Sequence, residues 1–391
     1  MFSNGRKVAR VVSTIVAVLV IFSVPMVAGA AVNSVTSNAN QTSGLPANIT
    51  KDLQLQLEKY LDGRAKLAHW NVSKENITLV STKRLGTEVS AVFDVKTIAR
   101  DNWTKVEDSP AIKGRVAFLR DKSTQLSRAQ IAEINKDMAI WKQALTEYVT
   151  KDQETNDRIK VVGLLDSKGM LMVDTVKLYL EGPLGGDYQQ ISLDQIPTTQ
   201  EAEKGAYNAV SKLAEDVKRQ KQVTSAATYN PSSAVSYANT WVKATSSHCS
   251  DGYTYQNHYN YNLSQYSTWY DCNDCANYVS QAVNAGGIPR HYVSGGWYPY
   301  TACWINCNYL VGYMVLNDNW HSTDINGCSA GYPFVMYHTR TDGSRDYYHA
   351  LMMVYNNGAY RKFSAHTNDR NQSSWSGTSG VQFFRVGSTV Y

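Results

Sequence analysis

Apolar and polar positions follow several distinct patterns along the chain. A mostly apolar, uncharged run extends from Val11 to Val27, behind Arg6, Lys7 and Arg10. Ala28-Gly29-Ala30 then puts small residues where a signal peptidase reads, so residues 1–30 are expected to be a Sec-type signal peptide. Residues 31–44 are rich in Ser, Thr, Asn and Gln, as in a flexible leader. Beyond them, Leu53, Leu57, Tyr60 and Leu61 recur at helical spacing, with Leu55 off that face. The alternations Thr87–Phe93 and Met170–Val173 predict strands. Ile131, Ile134, Met138, Trp141 and Leu145, at steps of three and four, predict a helix from Arg128 to about Lys151, and a last helix is expected over Gln200–Arg219. Residues 45–222 therefore read as an α+β accessory domain, helices against a small antiparallel sheet.

A second pattern begins at residue 226. Cys275, Tyr278, Val279, Ala282 and Val283 form an apolar stripe at helical spacing, with Asp274 as a candidate N-cap and Gly286-Gly287 as a stop. His349–Tyr355 is strand-like, Asn356-Asn357-Gly358 signals a hairpin, and Tyr360–His366 reads as the returning strand. A type I′ turn at Asn357-Gly358 sets His349 directly opposite His366. A register shifted by two sets it opposite Ser364, with His366 and Asn368 on the same face.

Composition supports this division. The stretch from Ala226 onward holds 21 of 26 tyrosines, six of nine tryptophans and all six cysteines, with eight Lys+Arg against eight Asp and no Glu. The apolar fraction of 43% excludes a disordered chain, and cysteine is too sparse for a small disulfide scaffold. The net charge of +5 suggests an anionic partner only until the signal peptide is removed with three of those charges, leaving about +2. Nucleic acid is therefore not an expected partner. No later segment is apolar enough to span a bilayer, so no membrane association is expected after signal removal.

The candidate chemistry lies in the second part. Cys275, in the first turn of its helix, feels the positive end of the helix dipole, which favours the thiolate. His349 is a candidate base, with His366 or Asn368 as the group that orients it. Cys275 also reads as a disulfide half or a buried thiol. Cys272-x-x-Cys275 and Cys303-x-x-x-Cys307, with Cys249 or Cys328 nearby, also form a possible Cys₄ zinc pattern, although the favoured reading has neither metal nor cofactor. Disulfide connectivity among Cys249, Cys272, Cys303, Cys307 and Cys328 stays open. The Tyr- and Trp-rich surface reads equally as a substrate cleft and as packing. In the first part, His69 beside Trp70 reads as a packing or surface group.

From Tyr229 to about Trp375 the chain resembles the putative amidase domain family of secreted bacterial proteins, itself similar to papain-like cysteine hydrolases. The resemblance rests on Ala234–Ala238, Asp274-Cys-Ala-Asn-Tyr-Val-Ser-Gln281 with Ala285-Gly-Gly287, Trp297–Trp304, the strand opening at His349, and Ser364-Ala-His-Thr367. It implies Cys275 as nucleophile, His349 as base and His366 as the orienting group, in a papain-like domain over residues 226–391 whose nucleophile sits at a helix N-terminus on an antiparallel sheet. The chain departs from the family in having Cys272-Asn273 where glycines are usual, and Tyr348, with Asp346 two residues earlier, where an acidic residue usually flanks the histidine. Asp274 and Tyr270 are possible supporting groups, and Tyr270 and Asn273 are candidates for an upstream oxyanion donor. The expected function is a secreted or cell-wall-associated cysteine amidase or peptidase acting on a peptide or peptidoglycan-type substrate. The alternatives are a catalytically silent wall-binding or adhesion module on the same fold, or a zinc-stabilised structural domain.

Overall fold

The stripe Leu53, Leu57 and Leu61 is buried along α1 (Ala47–Leu67), while Leu55 stays exposed on the other side. The computed structural model describes residues 44–183, 188–219, 229–242, 274–299, 301–317, 320–366, 370–375, 377 and 380–387. All of them lie in a unit spanning residues 43–391. The expected signal peptide and nearly all of the leader fall outside the described residues, as do Cys249, Tyr270, Cys272, Asn273 and Asn368.

The stripe of α1 covers a five-stranded antiparallel sheet, ordered β1 (Trp70–Leu85), β2 (Glu88–Asp101), β3 (Gln153–Leu165), β4 (Leu171–Glu181) and β5 (Tyr188–Ile191). Val89, Ala91, Phe93 and Val95 of β2 alternate into the core with Ile159 and Val161 of β3, as period-two patterning requires. Three helices flank this layer: α2 (Pro110–Lys122), α3 (Arg128–Thr150) and α4 (Thr199–Arg219). Ser109 caps α2 by accepting from Ile112 N–H, with Pro110 at the first helical position.

The α2–α4 packing depends on one glycine. A Cβ on Gly114 would lie 2.1 Å from the Glu203 carbonyl oxygen and 2.8 Å from the Ala206 Cβ. Gly114→Ala is expected to push these helices apart and cost about 1–3 kcal/mol, although alanine is the better helix former. Chemical unfolding checks this, and an unchanged or raised stability would show that the contact relaxes freely.

The second half contributes a six-stranded antiparallel sheet, ordered β10-β9-β8-β7-β11-β6, from β6 (Trp320–Thr323), β7 (Pro333–Thr339), β8 (Arg345–Asn356), β9 (Arg361–Ala365), β10 (Arg370–Ser374) and β11 (Val381–Val386). Against it lie α5 (Pro231–Trp241), α6 (Cys275–Ala285) and α8 (Cys307–Leu316), with α7 (Ala302–Ile305) packed on α6 and α8. The mixture of helices with antiparallel sheets makes the protein α+β. Among the described residues no helix is long and apolar enough to cross a membrane.

The two halves share a buried seam. Tyr355 and Tyr360 pack with Trp70, Trp141, Leu145 and Tyr148, and Tyr148 Oη donates to the Val354 carbonyl (2.6 Å). In the same seam the Lys362 ammonium lies 4.9 Å from the Trp70 ring centroid and 5.2 Å from that of Tyr355, whose hydroxyl donates to Asp101 Oδ1.

Burial raises the Asp101 carboxyl from 3.8 to about 7, against the Tyr355 hydrogen bond and the Lys362 charge. Burial also lowers the Lys362 ammonium from 10.5 to about 7, against the pull of Asp101. As pH rises from 3.8 to about 7, unfolded Asp101 releases its proton before the folded form does, so stability falls. As pH falls from 10.5 to about 7, unfolded Lys362 binds its proton first, and stability falls again. The pair is therefore expected to contribute least near pH 7. Melting temperature against pH for the wild type and the double variant Asp101→Asn/Lys362→Met tests this. The difference should dip near neutrality, and a flat difference would contradict the linkage.

Candidate active site

Cys275 is the first residue of α6, where the helix leaves its leading N–H groups without intrahelical partners. The helix runs as the stripe predicts. It ends at Gly286, and Gly287 follows at φ 110°, a left-handed conformation suited to glycine. The cap differs from expectation. Asp274 precedes the helix, but its side chain makes no capping hydrogen bond. Its carboxylate instead meets His366 Nδ1 at 3.1 and 3.0 Å.

The polar residues of α6 are buried and bonded to neighbouring aromatics. Asn277 Oδ1 accepts from Trp304 Nε1 (2.7 Å) and Gln281 Nε2 (3.0 Å). Ser280 Oγ donates to the Trp304 carbonyl and accepts from Trp297 Nε1. Trp297 and Trp304 are completely buried, so this part of the aromatic run packs the helix rather than lining a cleft. Tyr292 and Tyr309 are exposed.

His349 lies on β8 opposite Met336 of β7, beside a register shift between Met336 and Tyr337. The ring is 1% exposed, and neither nitrogen has a hydrogen-bond partner of standard geometry. The ring bears instead on the Cys275 thiol.

The Cys275 thiol is held well below its ordinary pKa of 9.0. The largest cause is a hydrogen bond from the Cys307 thiol; burial opposes it, and the His349 imidazole and the Ala350 backbone amide lower it further. The two sulfurs are 3.7 Å apart and both residues are buried. Cys303 and Cys328 are also free thiols, and burial raises both. Among the four described thiols, Cys275 alone is shifted toward the thiolate. No group of three or more His, Cys, Asp or Glu side chains among the described residues is arranged to hold a metal ion.

The hairpin register departs from the sequence expectation. Asn357 N–H donates to the Tyr360 carbonyl, and Gly358 takes φ 95°, so Gly358-Ala359 form the centre of the turn. The Asn357 side chain fixes this choice by accepting from Ala359 N–H and Tyr360 N–H. Asn356 then pairs with Arg361, and a further shift beyond Tyr355 sets Met352 opposite Ser364. Extended toward His349, this register differs by one residue from the direct pairing with His366.

His366 lies just past the end of β9. Its Nε2 donates to the Trp241 carbonyl (2.6 Å), and its ring stacks on Tyr278 with centroids 4.2 Å apart. A carbonyl only accepts, so Nε2 carries a proton, and the Nδ1–Asp274 contact holds another. Burial raises the Asp274 carboxyl and His366 pulls it down. The structure thus brings together Cys275, His349 and Cys307, with His366 and Asp274 paired immediately behind the cysteine.

Asp346, two residues before Tyr348, accepts from Asn308 Nδ2 (2.8 Å) and pairs with Arg340 (2.9 Å). Cys307 is the site residue that sequence reasoning assigned only to a zinc pattern or to an undetermined disulfide. The signal for its position was present, because Asn306 before an apolar run marks a helix start, and Asn306 Oδ1 accepts from Asn308 N–H and Tyr309 N–H. In the first half, His69 Nε2 meets Thr199 Oγ1 at 2.8 Å, a packing role.

A groove of about 410 Å³ is lined by Asn308, Val311, Val315, Arg345, Tyr347 and Phe384 and includes none of the candidate site residues. A more enclosed cavity of about 420 Å³, lined by Arg64, Tyr360, Arg361 and Trp375, lies beyond the other end of β8 and includes none of the candidate site residues.

Comparison with known proteins places this geometry in context. No curated protein and no solved structure matches the chain. Residues 228–386 match the model of a family described as "Putative amidase domain", which covers both α6 and β8. These residues are thus similar to an amidase family, and hydrolysis of amide bonds in general is the chemistry this similarity supports.

Proposed function

We propose that the protein is a secreted cysteine amidase or peptidase acting on cell-wall peptides or related amides, with a papain-like arrangement in its second half. The observation that carries this reading is the placement of Cys275 at a helix N-terminus beside the buried His349 imidazole, which favours the thiolate. Turnover starts when the Cys275 proton has passed to the His349 imidazole, leaving the thiolate. The thiolate attacks the amide carbonyl carbon, forming the C–S bond. His349 protonates the departing amine as the C–N bond breaks, leaving a thioester and a neutral imidazole. His349 then takes a proton from water, which attacks the thioester. The C–S bond breaks and the starting pair returns with a carboxylic acid as product.

The Cys275 backbone N–H at the start of α6 suits the developing oxyanion. His366 and Asp274 hold the start of the helix. Residues 1–30 act as the export signal in this reading, and residues 45–222 serve as an accessory domain.

Release of free amino groups from peptides and peptidoglycan fragments tests the proposal. The reduced protein should lose this activity once Cys275 is alkylated, with the modification mapped by mass spectrometry. Hydrolysis that survives complete alkylation of Cys275 would overturn it.

A further inference from the structure

We propose that Cys307 is a positioning residue of this site: its thiol donates a hydrogen bond to the Cys275 sulfur and keeps it as the nucleophilic thiolate. The inference rests on the reading of Cys275 as nucleophile and adds a residue that no family likeness assigns. Three observations carry it.

The sulfurs are 3.7 Å apart, within hydrogen-bond reach for this element. Both are buried, so water cannot readily take the donor's place. Each cysteine is also the first residue of a helix, α6 for Cys275 and α8 for Cys307, so two helix N-termini direct positive potential at the same sulfur pair. Asn306 satisfies the Asn308 and Tyr309 N–H groups of α8 and fixes that helix start, which holds Cys307 in place.

Two adjacent sulfurs cannot both ionise cheaply, because the second negative charge would be buried beside the first. The pair therefore holds a single proton over a wide pH range and titrates as a unit. Its first ionisation is pushed down and its second pushed up, which agrees with the opposite shifts of the two thiols. The proton stays on Cys307 because His349 and the Ala350 amide favour negative charge on Cys275. The other titratable groups bearing on Cys275 are Asp274, immediately before it, which opposes the thiolate, and His366 beyond β9, which acts on Asp274. Cys307 thus divides the work with His349. The thiol stabilises the resting thiolate, and the imidazole is left free to move protons during turnover.

The test is the pH dependence of iodoacetamide alkylation at Cys275, mapped by mass spectrometry on the reduced protein. Cys307→Ala removes the donor and is expected to raise the alkylation midpoint by about one unit, a roughly tenfold loss of rate below it. Cys307→Ser keeps a donor and should restore the wild-type midpoint, which a purely structural role would not predict. An unchanged midpoint in Cys307→Ala overturns the proposal. So does a Cys275–Cys307 disulfide in the exported protein, since no thiol proton would remain to donate.

If Cys307→Ala does not fold, Cys275→Ala gives the reciprocal measurement. Without its charged neighbour, Cys307 should titrate closer to an ordinary thiol than in the wild type, and no change would again overturn the pairing. Because the readout is alkylation, failure of the amidase reading would appear separately, as absent hydrolysis with the midpoint shift intact.

Discussion

Cys275→Ala is expected to reduce amide hydrolysis by at least about 10³-fold while the protein stays folded, because removing a covalent nucleophile leaves only binding and oxyanion stabilisation to act on the substrate. The substitution deletes one sulfur from a buried position, and with it the contact to the Ala350 amide, but leaves the pairing of α6 and β8 in place, so the circular dichroism spectrum should be preserved. The pH profile gives a second and more specific readout. The thiolate form of Cys275 is favoured by Cys307, His349 and the Ala350 amide, so the ascending limb of wild-type activity should lie below the ordinary thiol range. His349→Ala should cost about 10²–10⁴-fold, and it should move that limb upward, because the same ring both transfers protons and stabilises the thiolate. Cleavage of every wild-type substrate by Cys275→Ala at an undiminished rate would rule out cysteine chemistry, although the similarity of residues 228–386 to an amidase family would stand.

The second large effect is expected far from the chemistry. Arg64 on α1 is buried, and it donates to Asp157 Oδ2 of β3 at 2.6 Å, to Thr97 Oγ1 and to the Tyr360 hydroxyl. Asp157 in turn accepts from the backbone N–H and hydroxyl of Ser374, so one ion pair connects α1, both sheets and the hairpin turn. Burial works against the guanidinium charge, but Tyr360, Asp157 and Tyr60 outweigh it and hold the pKa above its ordinary value.

Arg64→Met leaves a buried carboxylate with its main counter-charge gone, which costs about 3–5 kcal/mol. Replacing both charges, with Arg64→Met and Asp157→Asn, should recover a substantial part of that loss, since the double variant buries no unpaired charge and the substituted amide keeps an oxygen that can accept from Ser374. Urea unfolding of the two single variants and the double variant measures the coupling. A loss below about 1 kcal/mol for Arg64→Met would mean that water or rearrangement satisfies Asp157.

The register of the β8–β9 hairpin shows where local sequence stops being informative. Asn356-Asn357-Gly358 marked a turn, and a turn is present. Its centre, however, is set by which backbone groups the Asn357 side chain captures, and a further shift follows beyond Tyr355. A displacement of one residue reverses which side chains share a face, so the expected pairing of His349 with His366 depended on a detail no turn propensity resolves. β1 was missed for a related reason. It is an edge strand with nearly every residue exposed, so it carries no apolar alternation to read.

The sequence alone determined the elements whose apolar faces are complete in themselves: α1 through Leu53, Leu57 and Leu61, the helix opening at Cys275, and the apolar strand from His349. Burial requires such patterns, and they repeat within one or two turns. Tertiary structure decided the partners. It placed Cys307 against Cys275 from another helix, gave Asp274 to His366 instead of its own helix cap, and brought the His349 ring to bear on the Cys275 thiol. These contacts join residues distant in sequence, and their geometry follows from how whole elements pack, which no local spacing encodes.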